Sequence, residues 1–181
     1  MERSLTLIAL FAALIAALGL IPKFTLAFGV PITAQTLGVM LCGTVLGPRR
    51  GALAVLLFLA LTALGLPLLA GGRGGLGAFA TPSFGFLIGW PVAAFATGLC
   101  MQAWRRLPIA WAGGVASAFG GIAVLYLFGV AGMMVTLNLT ALEALALVAA
   151  FIPGDLIKAV LAGLITAGLA RARPHSLLSR G

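Results

Sequence analysis

Charge is what this sequence has least of. Only 8% of its 181 residues are Asp, Glu, Lys or Arg, where a soluble domain carries about 25%. Only three are acids: Glu2, Glu143 and Asp155. With 62% hydrophobic residues and a mean hydropathy of +1.23, this scarcity excludes an ordinary water-soluble domain. There are two cysteines, Cys42 and Cys100, far apart and each inside an apolar run. No CxxC or Cys/His cluster accompanies them, which excludes a disulfide framework and a metal site of that kind, so both are read as buried, inert thiols. His175 is the single histidine and lies in a polar tail, so neither a metal nor a cofactor is expected. No glycine-rich stretch ends in GKS or GKT, which excludes ATP hydrolysis of the Walker type for this chain itself.

What the sequence has in abundance is apolar runs. They recur at about 4–21, 32–47, 51–69, 82–104, 109–133 and 141–170, rich in Leu, Ala and Gly and without the alternation of barrel strands. The pattern predicts an all-α integral membrane protein, with six transmembrane helices in one compact bundle that takes in residues 1–181 as a single domain. The run from Leu5 to Ile21 exceeds a usual signal-peptide core, and no A-x-A-like site closes it, so it is read as the first span.

The net charge of +8 raises the question of nucleic acid, and the placement of the charges answers it. If the spans alternate, Arg3, Arg49, Arg50, Arg105, Arg106, Arg171, Arg173 and Arg180 all fall on one side, and only Lys23 and Arg73 on the other. Eight against two orients both termini into the cytoplasm of a multi-pass protein of the cytoplasmic membrane. The charge therefore encodes topology in a lipid bilayer, and no nucleic-acid partner is expected. Trp104 and Trp111 flank Arg105 and Arg106 as an interfacial anchor.

One stretch departs from this economy. "FIPGDLIKAVLAG", 151–163, puts Asp155 and Lys158 inside an apolar run. Each costs about 2.5–3.5 kcal/mol at the centre of a membrane helix unless it faces protein or water. Asp155 lies about 22 Å from the cytoplasmic end of the sixth run at 1.5 Å per residue, in the outer half of the bilayer. The i, i+3 spacing places both groups on one face. Pro153 and Gly154 just before them are expected to loosen the helix and free carbonyls beside Asp155. One reading is a self-neutralising pair that orders the bundle. The other is a polar site for a small amphipathic ligand, anionic at one end and rich in N–H groups at the other. An intramembrane enzyme would need more, and neither a nucleophile–histidine arrangement nor a metal-ligand set accompanies the pair.

Two outer loops add to this. "IPKFTLAFGVPITAQT" and "LLAGGRGGLGAFATPSFGF" are rich in Gly, Pro and Thr, and each contains one basic residue, Lys23 and Arg73. The glycines around Arg73 allow a connector or a ligand lid. The shared side, with one cation in each loop, favours a lid, with the ligand arriving from outside.

Together, "PITAQTLGVMLCGTVLGPRRGALAVLLFL" at 31–59, "GGRGGLG" at 71–77 and "IPGDLIK" at 152–158 resemble the biotin-specific substrate-binding (S) components of energy-coupling factor transporters, the BioY family. The resemblance covers nearly the whole chain. It implies a membrane protein that captures biotin from outside and works with a transmembrane coupling subunit and a pair of cytoplasmic ATPases. On that reading Asp155 takes the ureido N–H groups, Lys158 and Arg73 take the carboxylate, and Gln35 supplies an amide. The family commonly shows PTGGY where this chain has "TPSFGF", so Phe86 stands at the tyrosine-like position without a hydroxyl and Ser83 is the substitute. Ala9, Ala13 and Ala17 look like the small-residue strip that grips the coupling partner, the bland alternative being packing inside this chain's own bundle. The competing reading of function is a stand-alone or proton-coupled secondary carrier for biotin or another small vitamin. No inverted repeat is evident in its favour.

Overall fold

The computed structural model describes residues 2–27 and 29–180. Its long elements are all helical, as they must be where backbone amides face hydrocarbon and have only one another to bond. Helix α1 (Glu2–Leu18) leads into a short antiparallel pair, β1 (Phe24–Thr25) and β2 (Pro31–Ile32). Helix α2 (Gln35–Leu41) runs on as a π-helical turn at Cys42–Leu46, followed by α3 (Pro48–Ala63), a 3-10 turn at Leu76–Ala80 and α4 (Phe84–Ala103). Then α5 (Ile109–Ala118) continues through a second π-helical stretch, Phe119–Val124, into α6 (Leu125–Leu137). The chain closes with α7 (Ala141–Ala149), α8 (Ile152–Ala172) and two 3-10 turns, Pro174–Ser176 and Leu178–Arg180. Phe84–Ala103, Ile109–Leu137 and Ile152–Ala172 are long and apolar enough to cross a membrane, and Gln35–Leu46 is a shorter apolar helix.

Two of the apolar runs are not the helices the sequence predicts. Run 51–69 stops at Ala63, because Gly65, with φ +108°, turns the chain into the glycine-rich loop. Run 141–170 is two helices. Helix α7 starts from a capping box between Thr140 and Glu143 and ends at Ala149. Helix α8 starts at Ile152 with Pro153 in its first turn. There the missing proline N–H forfeits no intrahelical bond, so Pro153 begins a helix instead of loosening one. Asp155 therefore lies in the first turn of α8, where the positive end of the helix dipole favours a carboxylate.

Outside the bundle, Leu127, Val135, Leu142, Ile157 and Val160 are each more than half exposed, a surface suited to acyl chains and not to water. Inside, Phe58, Ile15, Met40, Met101 and Met133 are fully buried. Helices α5 and α8 meet backbone to backbone: a Cβ on Gly163 would come within 2.3 Å of the Ala110 carbonyl oxygen. Small residues permit this approach, and it is how helices gain dispersion contacts where lipid removes the hydrophobic drive.

The ends of the bundle divide the charges. At one end Arg3 donates to the His175 carbonyl, the Ser179 hydroxyl to the Thr44 carbonyl, and Arg180 to the carbonyls of Trp104, Arg105 and Leu107 at 3.1, 3.3 and 3.0 Å. Arg180 thus caps the carbonyls that follow α4, a role its place in the polar tail does not announce. Partial burial, with Arg105 nearby, moves its pKa down from the ordinary arginine value. At the other end Lys23 lies over the glycine-rich loop, its Nζ 2.5 Å from where a Cβ on Gly71 would sit. Cys42 is buried, Cys100 half-buried, and both are free thiols.

Candidate ligand-binding site

Helix α8 brings Asp155 and Lys158 to the inner wall of a cleft near the Lys23 end. Lys158 Nζ stands 2.9 Å from Asp155 Oδ1. The pair does not stand alone. Tyr126 of α6 donates its hydroxyl to Asp155 Oδ2 at 2.7 Å. Thr36 of α2 accepts from Lys158 Nζ at 2.9 Å and donates to Asp155 Oδ1 at 3.3 Å. Three helices therefore converge on one carboxylate, which fixes its orientation in a nearly dry setting. With both its oxygens at work, the carboxylate still has lone pairs for a ligand's N–H groups.

Arg73 occupies the rim. The glycine-rich loop folds as a tight hairpin, closed by bonds from Leu69 N to Arg73 O (3.0 Å) and from Arg73 N to Leu69 O (3.2 Å). Gly71 and Gly72 make the turn, with φ of +80° and +70°. A proline there would not freeze the loop, because its ring fixes φ near −65° and would break the hairpin. The Arg73 side chain donates to Ala70 O and to Ser83 Oγ, both at 3.4 Å, and among the described residues it has no carboxylate partner. Partial burial lowers its pKa from the ordinary arginine value while leaving it a cation. Ser83, also 2.9 Å from the Thr81 hydroxyl, presents its Oγ beside it.

Gln35 lines the same cleft, but its amide is engaged within the protein. Nε2 donates to the carbonyls of Ile15 (3.1 Å) and Leu68 (3.0 Å), and Oε1 accepts from Ala70 N (3.0 Å). It ties the end of α1 to the base of the Arg73 hairpin. Phe86 lies edge-on to Tyr126 at 6.3 Å and tilted against Phe151 at 5.9 Å, an aromatic wall for an apolar ring. A Cβ on Gly129 would strike the Phe86 ring at 2.3 Å, so only glycine leaves that ring its place. Asp155, Lys158, Arg73, Gln35, Ser83 and Phe86 all line this one cleft, with Trp90 deeper in. Its free space is about 530 Å³ counted to the mouth. Ala9, Ala13 and Ala17 lie elsewhere, exposed along α1, while Phe11, Ala12 and Ile15 turn inward.

Sequence reasoning missed Thr36, Tyr126 and Trp90. The available signal for Tyr126 is that it is the chain's single tyrosine, set in an apolar helix where its hydroxyl needs a partner.

A helical bundle with apolar outer faces, span-capable helices and a charged cleft is the architecture of a membrane-integral protein with a polar ligand site. The model of the BioY family matches residues 2–175. The biotin transporter BioY of Rhodobacter capsulatus is 54% identical over the whole of both chains, and that of Rhizobium etli is 52% identical over 90% of each. The crystal structure of the S-component for biotin from an ECF-type ABC transporter superposes with a TM-score of 0.88 at 33% identity, over 94% of this chain and 92% of that one. This chain belongs to the BioY family, a family of transporters and not of enzymes.

Proposed function

We propose that this chain captures biotin on the outer face of the cytoplasmic membrane and serves as the S component of an energy-coupling factor transporter, with a transmembrane coupling subunit and a pair of cytoplasmic ATPases. The observation that carries the reading is the division of charge in the cleft: an ion pair braced by Tyr126 and Thr36 inside, and at the rim a guanidinium with no carboxylate partner among the described residues. Biotin has the complementary division, with ureido N–H donors on its fused rings and a carboxylate at the end of a chain. Asp155 takes the ureido donors. Arg73 takes the carboxylate, with the Ser83 hydroxyl beside it, since Lys158 is already engaged by Asp155 and Thr36. Phe86 forms the wall for the rings. Gln35 sets the base of the hairpin, and the hairpin acts as the lid.

In this reading the bundle crosses the membrane six times as a single domain. Glu2–Leu18, Gln35–Leu46, Pro48–Ala63, Phe84–Ala103 and Ile109–Leu137 supply five crossings, and α7 with α8 supplies the sixth. Both termini lie in the cytoplasm, as the gathering of arginines at the Arg3–Arg180 end supports.

Calorimetry on the purified chain, without ATP or partners, tests the assignment. Biotin should bind at nanomolar concentration, about −12 kcal/mol. Arg73→Ala should weaken biotin by about tenfold to a hundredfold, the worth of a charge-assisted hydrogen bond, and barely affect biotinamide, which lacks the carboxylate. Lys158→Ala should weaken both ligands, because it strips Asp155 of its counter-ion. Absence of biotin heat in the unaltered chain would sink the function; equal losses for both ligands in Arg73→Ala would sink the role of Arg73.

A further inference from the structure

Trp90 is 4% exposed and lines the cleft, yet its indole nitrogen has no hydrogen-bond partner among the described residues. Such a group is costly, since a buried donor without an acceptor loses its bond to water and gains nothing in return. The other buried polar atoms in that condition belong to Thr97, Ser117 and Arg180, and none of these residues lines the cleft. The Trp90 ring is steadied by Phe58, which is fully buried with its ring centroid 5.9 Å away.

We infer that the Trp90 indole N–H is a specificity-determining donor that reads the ureido oxygen of the ligand. The assignment rests on the biotin reading above and deepens it. Trp90 follows Ser83 by seven residues along α4, so it lies about 10 Å deeper than the rim at 1.5 Å per residue. A carboxylate held by Arg73 and Ser83 cannot also reach it, so its partner belongs to the ring end of the ligand. An indole nitrogen only donates, so that partner is an acceptor. The fused rings of biotin offer two acceptors, the ureido oxygen and the thioether sulfur, and sulfur accepts weakly. Asp155 cannot serve the ureido oxygen because a carboxylate only accepts, and Lys158 has already given two of its three N–H bonds to Asp155 and Thr36, whereas the Trp90 N–H is wholly unspent among the described residues. Trp90 therefore completes the recognition of the ureido group from the side its N–H donors do not face.

Trp90→Phe keeps an aromatic ring against Phe58 and removes only the donor. It should weaken biotin about tenfold, the worth of one buried hydrogen bond, and leave 2-thiobiotin, whose ureido oxygen is replaced by sulfur, nearly unchanged. A second readout leaves Trp90 in place. With Trp104 and Trp111 replaced by phenylalanine, Trp90 is the only tryptophan of the three, and biotin should shift its emission to the red more than 2-thiobiotin does. Wild-type affinity in Trp90→Phe, equal losses for both ligands, or emission that biotin leaves unmoved would each overturn the assignment. Failure of the unaltered chain to bind biotin would instead remove the functional reading on which it rests.

Discussion

Asp155→Asn should weaken biotin binding by about two to three orders of magnitude, the worth of two hydrogen bonds to a charged group. The substitution keeps the size and shape of the side chain, so the helices around it have little reason to move. Its amide oxygen can still accept from Lys158, and the Tyr126 hydroxyl, 2.7 Å from Oδ2, can rotate to accept from the new NH₂ group. The fold therefore loses modestly, and a thermal melt of the detergent-purified variant should show a small shift. The ligand has no such remedy. Its ureido N–H groups would face an amide donor, and Lys158 would retain a charge that only the ligand's carboxylate could answer, from the wrong end of the cleft. Calorimetry should show biotin affinity falling far more than the melt does. A loss under about fivefold, less than the worth of one ordinary hydrogen bond, would return Asp155 and Lys158 to a purely structural pair.

The second large effect separates binding from transport. Ala9, Ala13 and Ala17 are exposed on α1, whereas Ala12 is buried and Ala16 half-buried. Ala13 and Ala17 also line an apolar groove with Leu41 of α2, Val45 of the π-helical turn that follows it, and Ile165 and Leu169 of α8. Small side chains on an outward face leave a strip that another helix can approach closely. Replacing Ala9 and Ala13 together by leucine should preserve biotin affinity in the purified chain. In cells that also make the coupling subunit and the ATPases, it should abolish ATP-driven uptake and co-purification of the coupling subunit. Uptake at wild-type rates would remove this strip from the partner interface, and lost biotin binding would mean that the alanines support the bundle itself.

The helical, apolar character of the chain was legible because hydropathy is written residue by residue along it. The Asp155–Lys158 pair was legible for the same reason: its partners are three residues apart on one helix. What surrounds the pair was not. Thr36 meets Asp155 across 119 residues and Tyr126 across 29, and no local pattern encodes such contacts. Gln35 was readable as a polar residue near the loop, but not as a brace whose amide is already taken by Ile15, Leu68 and Ala70. The break between α7 and α8 was misjudged because a proline in an apolar run signals either a loosened helix or a helix start. Only the tertiary packing decides between them.

The cleft also has an electrical property. Asp155 and Lys158 cancel, so Arg73 leaves the unliganded cleft with one surplus positive charge. A monoanionic ligand cancels that too. One elementary charge moved through the whole membrane potential exchanges about 2.3 kcal/mol per 100 mV, and the loaded cleft, being neutral, exchanges none however far it turns within the field. The empty cleft, with its surplus charge, does exchange energy with the field on its return, so turnover in proteoliposomes at saturating biotin should change with an imposed potassium diffusion potential while the loaded step stays insensitive to it. A cycle in which neither step responds to voltage would mean that the empty cleft does not carry the surplus charge of Arg73.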